Sequence, residues 1–349
     1  MCVIKQLLDQ VAEINFKNFG KVLISQGILL YVTENVEKGL KYLIRYGRVS
    51  LDLNVRHFAY SDFNEIEAIS RGYHGTIFSA KYFGRKVILK KHNNTTDIKG
   101  YKALFKELCI SALVNGHPNV LTFLGDTIDP ETNNFIIVSQ LANGGNLRSY
   151  LKNKTTPEDV FEISLTELLP IAEQITLGVQ HLHNQNIIHK DLSSENILMN
   201  DGIPKISDYG SSAKIDDESF SLSMGAYCPS YSDPQAFITA FFEPSFASDI
   251  YSLGLILWEL SSGVLPFSVF QDKRCLGLYI YKGLQNEIIK GTPIEYSKVY
   301  KQCWDIDPKN RPGLDEILLK IQFSKGENKT ITNNIKEYNN FLSNKVQSL

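Results

Sequence analysis

The chain has 349 residues, 43% of them apolar and 21% charged, and a formal net charge of −2. That length accommodates two domains, and that apolar share builds a sizeable core, which excludes a chain disordered throughout. A balance so near zero gives no global basic field to favour nucleic acid or an anionic membrane.

Residues 1–61 read as a folded N-terminal extension. Ile4, Leu7, Leu8, Val11 and Ile14 recur at helical spacing, as do Val36, Leu40, Leu43 and Ile44. Val49, Leu51, Leu53 and Val55 then alternate like a strand. The start lacks the long apolar run of a secretory signal, and Val22 to Val32, broken by Ser25, Gln26 and Gly27, is too short to span a bilayer. Cys2, Cys109, Cys228, Cys275 and Cys303 are far apart with no C-x-x-C pair, so neither a disulfide framework nor structural zinc is expected. A soluble chain in a reducing, cytoplasmic compartment follows.

From Phe63 the pattern becomes strand-rich. Gly72 and Gly75 flank a tight strand–turn–strand, where missing Cβ atoms let backbone N–H groups approach a phosphate; a plain hairpin turn is the alternative. Lys90 ends the apolar strand Val87-Ile88-Leu89-Lys90 and must leave the core or pair with something. Glu107, on a helix expected over Tyr101 to Val114, is the natural partner. A strand at Phe135 to Gln140 follows, then a long helix from Thr166 to Asn184 whose apolar face (Leu169, Ile171, Ile175, Val179, Leu182) supports the next loop. His181 and His183 on that helix read as structural or solvent-facing.

That loop, Ile187 to Met199, is the chemical centre of the sequence. Apolar runs enter and leave it, and between them stand Asp191 and Asn196. Asp191 suits the role of proton acceptor for a hydroxyl nucleophile, and Asn196 offers a neutral oxygen to a divalent cation. Asp208-Tyr209-Gly210 adds a second carboxylate. Two acids and an amide without a His/Cys cluster suit Mg²⁺ rather than zinc. The segment from Asp208 to Gln235 is rich in serine and tyrosine, which fits either flexibility or switching by phosphorylation. Trp258, Pro266, Phe267 and Trp304 read as packing residues. Beyond Gln322 the chain turns polar, yet Ile331, Ile335, Tyr338, Leu342, Val346 and Leu349 form a stripe at helical spacing. That stripe packs on its own domain or docks a partner.

H-x-D-x-x-x-x-N at His189 to Asn196, followed by D-x-G at Asp208, resembles the protein-kinase signature set. The resemblance continues through the glycine-rich Ile69 to Ile77, the lysine strand, Phe105-Lys106-Glu107 before His117-Pro118-Asn119-Val120, and Ser248-Asp249 with Trp258-Glu259. It closes with Cys303-Trp304 and Asn310-Arg311-Pro312. Ala142-Asn143-Gly144-Gly145-Asn146-Leu147 and the closing motif are most similar to the tyrosine-kinase-like group. The resemblance implies an α+β bilobal fold over 62–322, with an antiparallel β small lobe (62–141), a mainly helical large lobe (142–322) and a tail (323–349). It implies ATP and Mg²⁺ as cofactors, with Asp191, Lys90 and Glu107 catalytic and Asn196 and Asp208 holding metal. Ile69, Gly72, Gly75, Ile77, Ile88, Lys90, Gln140, Ala142, Asn146 and Leu198 are the implied nucleotide contacts. The implied activity is transfer of the γ-phosphate to a protein hydroxyl, serine or threonine before tyrosine. A protein substrate is the implied partner, further docking falls to 1–61 or the 331–349 stripe, and neither nucleic acid nor a membrane span is expected.

Several positions depart from that family. Ser70 replaces the first loop glycine, and Lys190 replaces an arginine, which keeps the cation but loses its bidentate fork. Ser193 and Glu195 stand where kinases carry a lysine or an arginine that neutralises the transferring phosphoryl group. By analogy with removal of one transition-state donor, that absence costs on the order of 10²–10³ in rate. Ile88 replaces a small alanine over adenine. Gln235 replaces the acid that pairs with Arg311, leaving the arginine to find a partner such as Glu243. Weakened phosphotransfer is therefore the expectation, with a non-catalytic scaffold as the alternative. A small-molecule phosphotransferase is disfavoured by the Asp249 and Trp304 motifs.

Overall fold

A computed structural model describes residues 55–347 apart from 73–74, 93–97, 133, 216–228, 240–241, 271–275 and 327–328. The helices expected within 1–48, and the strand from Val49 as far as residue 54, lie outside the described residues. Chain contacts divide the molecule into two compact units, Met1–Asn115 with Thr122–Leu141 and Gly116–Leu121 with Ala142–Leu349.

The first unit is a five-stranded antiparallel sheet with one helix. Strands β1 (Phe63–Arg71), β2 (Gly75–Tyr82) and β3 (Arg85–His92) form a meander. After helix α1 (Ile98–Leu113) come β4 (Phe123–Ile128) and β5 (Phe135–Gln140), giving the order β1-β2-β3-β5-β4. The period of two along β3 sends Val87 and Leu89 into one core with Phe58, Phe63, Ile136 and Val138. On the other face Ile137 packs with Leu104 and Leu108 of α1 and with Phe123. Residues 55–58 run along the free edge of β4: Phe58 N–H donates to Asp126 O at 2.8 Å and Asp126 N–H to Arg56 O at 2.9 Å. Gly125 makes this approach possible. Its φ is +147°, and a Cβ there would stand 2.0 Å from Arg56 O.

The second unit is mainly helical. It contains α2 (Leu147–Lys152), β6 (Val160–Ser164), α3 (Leu165–Asn184), β7 (Ile187–Ile188), β8 (Ile197–Asn200), β9 (Ile203–Ile206) and β10 (Ala213–Lys214). Then come α4 (Gln235–Ile238), α5 (Phe246–Ser262), α6 (Leu276–Tyr281), α7 (Ile294–Cys303) and α8 (Leu314–Phe323). Helix α5 is apolar nearly all round and is the buried axis of the unit, with Trp258, Leu253 and Leu257 fully covered. A reciprocal Ser245–Ser248 capping box starts it, and Gly263 at φ +69° ends it.

The polar C-terminal segment belongs to this unit. Strand β11 (Thr330–Asn334) pairs antiparallel with β6, Ile331 opposite Ile163, and α9 (Ile335–Gln347) follows it directly. Ile331, Tyr338 and Leu342 are buried, so those members of the apolar stripe are covered by the chain itself. No described helix is long and apolar enough to cross a membrane.

Candidate functional site

The candidate side chains fall into two sets, one in each unit. In the first unit, Gly72 N–H donates to Gly75 O at 2.9 Å and closes the β1–β2 turn. A Cβ on Gly75 would lie 2.4 Å from Lys91 O, so no side chain fits between these strands. Ile77 stands opposite Lys90 in the β2–β3 ladder, Ile88 opposite Ser79 and Ser139, and Val87 opposite Gln140. Ile69 is 56% exposed on β1. Ile88, Lys90 and His92 project from the face of β3 opposite the Val87–Leu89 core, because alternate residues share a face.

Lys90 Nζ donates to Glu107 Oε1 at 2.7 Å, and His92 Nε2 lies 3.1 Å from Glu107 Oε2. Each carboxylate oxygen therefore has its own nitrogen neighbour. Burial alone would raise the Glu107 pKa; the Lys90 ammonium and the His92 ring outweigh it and bring it down to about 2. The His92 contact was not foreseen, although its place two residues after Lys90 was a visible signal.

In the second unit, α3 and α5 present the loop between β7 and β8. Asp249 of α5 is buried and its carboxylate accepts His189 N–H at 2.8 Å and Lys190 N–H at 3.0 Å. His183 Nε2 lies 2.9 Å from the same carboxylate, so this helix histidine is structural. His181 stacks on His117 with ring centres 4.6 Å apart. His189 is fully buried, with Nε2 3.0 Å from Ser207 O, while its Nδ1 accepts Asp191 N–H at 3.3 Å. Lys190 and Asp208 adopt left-handed φ of +68° and +62°, a conformation that costs an ordinary residue about 1–3 kcal/mol unless its surroundings impose it. Here those surroundings are the Asp249 clamp for Lys190 and, for Asp208, the hydrogen bond from Gly210 N–H to its Oδ1 at 3.3 Å.

Asn196 Nδ2 donates to Asp191 O at 2.7 Å and to Asp191 Oδ2 at 3.0 Å. With its nitrogen committed there, only the amide oxygen remains to accept a hydrogen bond or to ligate. Ser207 fixes the loop from behind, both its N–H and its Oγ donating to Asn196 O at 2.9 Å. Among the described residues no cluster of three His, Cys, Asp or Glu could hold a metal unaided. An Asp and an Asn beside phosphate oxygens fit Mg²⁺, which seldom uses an all-protein cage. Asn146 caps α2, its Oδ1 accepting Ser149 N–H at 2.8 Å, and Leu198 bridges to it from β8. Ala142 lies just before this turn and is half-buried.

Two ion pairs, one buried and one partly buried, were not legible beforehand. Arg311 binds Asp233 through both carboxylate oxygens, Nη1 to Oδ2 at 2.6 Å and Nη2 to Oδ1 at 3.0 Å. The expectation that Glu243 would take this arginine is thus corrected: the acid has moved two positions upstream of Gln235, which instead donates to Ile306 O at 2.8 Å. Glu259 of α5 is fully buried; it accepts from Arg148 Nη1 at 2.8 Å, from Ser194 Oγ at 3.0 Å and from Tyr231 OH. Burial raises its pKa against the pull of Arg148 and these donors. The network ties the loop of Asp191 to the segment ahead of α4. Ser211, Ser212, Ser230 and Tyr231 are themselves buried; Ser219, Ser221, Ser223 and Tyr227 lie outside the described residues. Lys190 is partly buried, which lowers its pKa against the pull of Asp249 and Glu243.

A family model for protein tyrosine and serine/threonine kinases matches residues 63–321. A LIM domain-containing protein of Dictyostelium discoideum, named a probable serine/threonine-protein kinase, is 30% identical over 255 residues, 72% of this chain and 37% of that relative. A dual-specificity protein kinase of the same organism is 27% identical over 343 residues, 93% of this chain and 24% of its own length. A tyrosine-protein kinase of Caenorhabditis elegans is 28% identical over 266 residues, 75% of this chain and 47% of its own. The chain thus spans less than half the length of each of these relatives.

Proposed function

The chain belongs to the protein tyrosine and serine/threonine kinase family, and we propose that it transfers the γ-phosphate of MgATP to a protein hydroxyl, serine or threonine before tyrosine, at a reduced rate. In this reading residues 62–322 are the catalytic domain, 1–61 and 323–349 are extensions, and the protein acts in the cytoplasm. Bound MgATP supplies the γ-phosphoryl group and leaves as ADP. Lys90, held by Glu107, binds the α- and β-phosphate oxygens. Asp208 and Asn196 hold the cation, and Asp191 orients the acceptor hydroxyl and takes its proton as the new P–O bond forms. Ile69, Gly72, Gly75, Ile77, Ile88, Gln140, Ala142, Asn146 and Leu198 are assigned to the nucleotide.

The observation that carries the reading is the Asn196 amide. Its nitrogen is committed to Asp191 at 2.7 and 3.0 Å, which sets a cation ligand and a proton acceptor side by side. The test is Asp191→Asn. Autophosphorylation should fall about 10²–10⁴-fold, the usual share of a general base, while MgATP affinity changes little. Equal activity in both proteins would sink the assignment.

A scaffold that transfers nothing is the second reading, favoured by the absence of a cation at Ser193 and Glu195 and by the bulk of Ile88. Ile88→Ala separates the two. Relief of overpacking is worth about 1–2 kcal/mol, so MgATP should bind roughly tenfold tighter. A wild type with no MgATP binding, whose site opens only in the alanine variant, supports the scaffold. Tighter binding by wild type than by the variant would show that Ile88 does not lie over the adenine.

A further inference from the structure

The Glu107 carboxylate meets strand β3 at two points, and the kinase resemblance accounts for only one of them. Lys90 Nζ donates to Oε1 at 2.7 Å. His92, two residues further along the same face of β3, brings Nε2 to 3.1 Å from Oε2. Both residues are buried, His92 at 8% and Glu107 at 3% exposure. Neither Nε2 nor Oε2 has another hydrogen-bonding partner among the described residues, so each has only the other to meet. An ionised carboxylate can only accept, which places a proton on Nε2.

Lysine alone would leave this pairing open. Its ammonium has three donors and must share them between Glu107 and phosphate oxygens once a nucleotide binds. As that charge turns to the phosphates, a buried carboxylate held only by Lys90 would lose the partner that offsets its burial. A second donor on the same strand prevents this. The Cα atoms of Lys90 and His92 stand about 7 Å apart along β3, and the carboxylate between their side chains cannot turn without losing one of them. We propose that His92 is a positioning residue, which holds the Glu107 carboxylate in place while Lys90 turns its ammonium to the nucleotide phosphates. The phosphate half of this inference rests on the kinase reading; the hold of His92 on Glu107 does not.

The test uses the full chain with ¹³C-labelled glutamate, the Glu107 carboxyl resonance being assigned with Glu107→Gln. His92→Leu removes the donor, and His92→Gln returns an N–H near the same place without the ring. The carboxyl should titrate about one pH unit higher in His92→Leu than in wild type, with His92→Gln between them. MgATP should bind about fivefold more weakly to His92→Leu, the usual weight of one hydrogen bond, and His92→Gln should recover most of that affinity. An unmoved carboxyl, with equal loss of stability in both variants, would mean that the ring only fills space and would overturn the proposal. So would a carboxyl that moves while MgATP affinity stays the same in all three proteins, because Glu107 would then not govern Lys90. Wild type without any MgATP binding is a failure of the kinase reading, and the titration still decides whether His92 holds the carboxylate. Should His92→Leu not fold, His92→Gln against wild type decides: an upward shift of the carboxyl supports the hold, and none overturns it.

Discussion

Asp233→Ala is expected to destabilise the second unit by about 3–5 kcal/mol, the usual effect of removing one partner from a buried ion pair. The Asp233 and Arg311 side chains are 2% and 1% exposed, so the arginine stripped of its acid keeps an unpaired charge away from water. The arginine's remaining acceptors, Asp305 O at 2.9 Å and Ala247 O at 2.8 Å, are neutral. Asp233 has a second role: its Oδ1 accepts Gln235 N–H at 3.0 Å at the start of α4. The alanine therefore removes a salt bridge and loosens the segment that carries Tyr231. Denaturant unfolding of wild type, Asp233→Ala and the double variant Asp233→Ala/Gln235→Glu tests this. The double variant should recover part of the loss, because a glutamate at 235 returns a negative charge two residues along the same turn. A single-variant loss below about 1 kcal/mol, as for an exposed pair, would overturn the account.

The same pair explains why part of this site escaped the sequence. Taken position by position, Gln235 is a missing acid, and Glu243 is the next carboxylate downstream. The ion pair depends on reach: an aspartate two places earlier on the same turn meets the guanidinium with both oxygens. Glu259 escaped for a related reason. A charged residue in an apolar helix announces a partner, but Arg148 and Tyr231 lie far away along the chain, and only the fold joins them.

Other features were legible because their physics is local. The apolar runs on either side of Asp191 and Asn196 became β7 and β8, and the apolar face expected on the long helix is buried. The helix expected from Tyr101 begins at Ile98. The stripe from Ile331 contained both structure types: Thr330–Asn334 is a strand, with Ile331 buried between exposed neighbours, and helical periodicity begins only at Ile335. A period of two over five residues is a weak signal beside a helical stripe, and pairing with β6 settles it.

Lys90→Met is expected to destabilise the fold at pH 7, and that loss should shrink as pH falls. The argument starts from Glu107, whose folded pKa lies at about 2 against an ordinary 4.5. A depressed carboxyl contributes stability that is present above its unfolded pKa and lost as pH falls through the folded one, so the window runs from about 4.5 down to about 2. The Glu107 side chain is only 4% exposed, which leaves solvent little room to screen the lysine's charge. Without Lys90, burial is opposed by His92 alone, 3.1 Å from Oε2. The Glu107 carboxyl should then ionise at higher pH than in wild type, and protonation would relieve the variant of a poorly compensated charge. Wild type therefore loses stability on acidification from pH 5 to pH 3 while Lys90→Met loses less, and the two unfolding curves converge. Adding His92→Gln to Lys90→Met should raise the carboxyl pKa further and shift the convergence to higher pH. A difference between wild type and Lys90→Met that is constant from pH 7 to pH 3 would mean that the lysine contributes through the packing of its methylenes rather than through its charge.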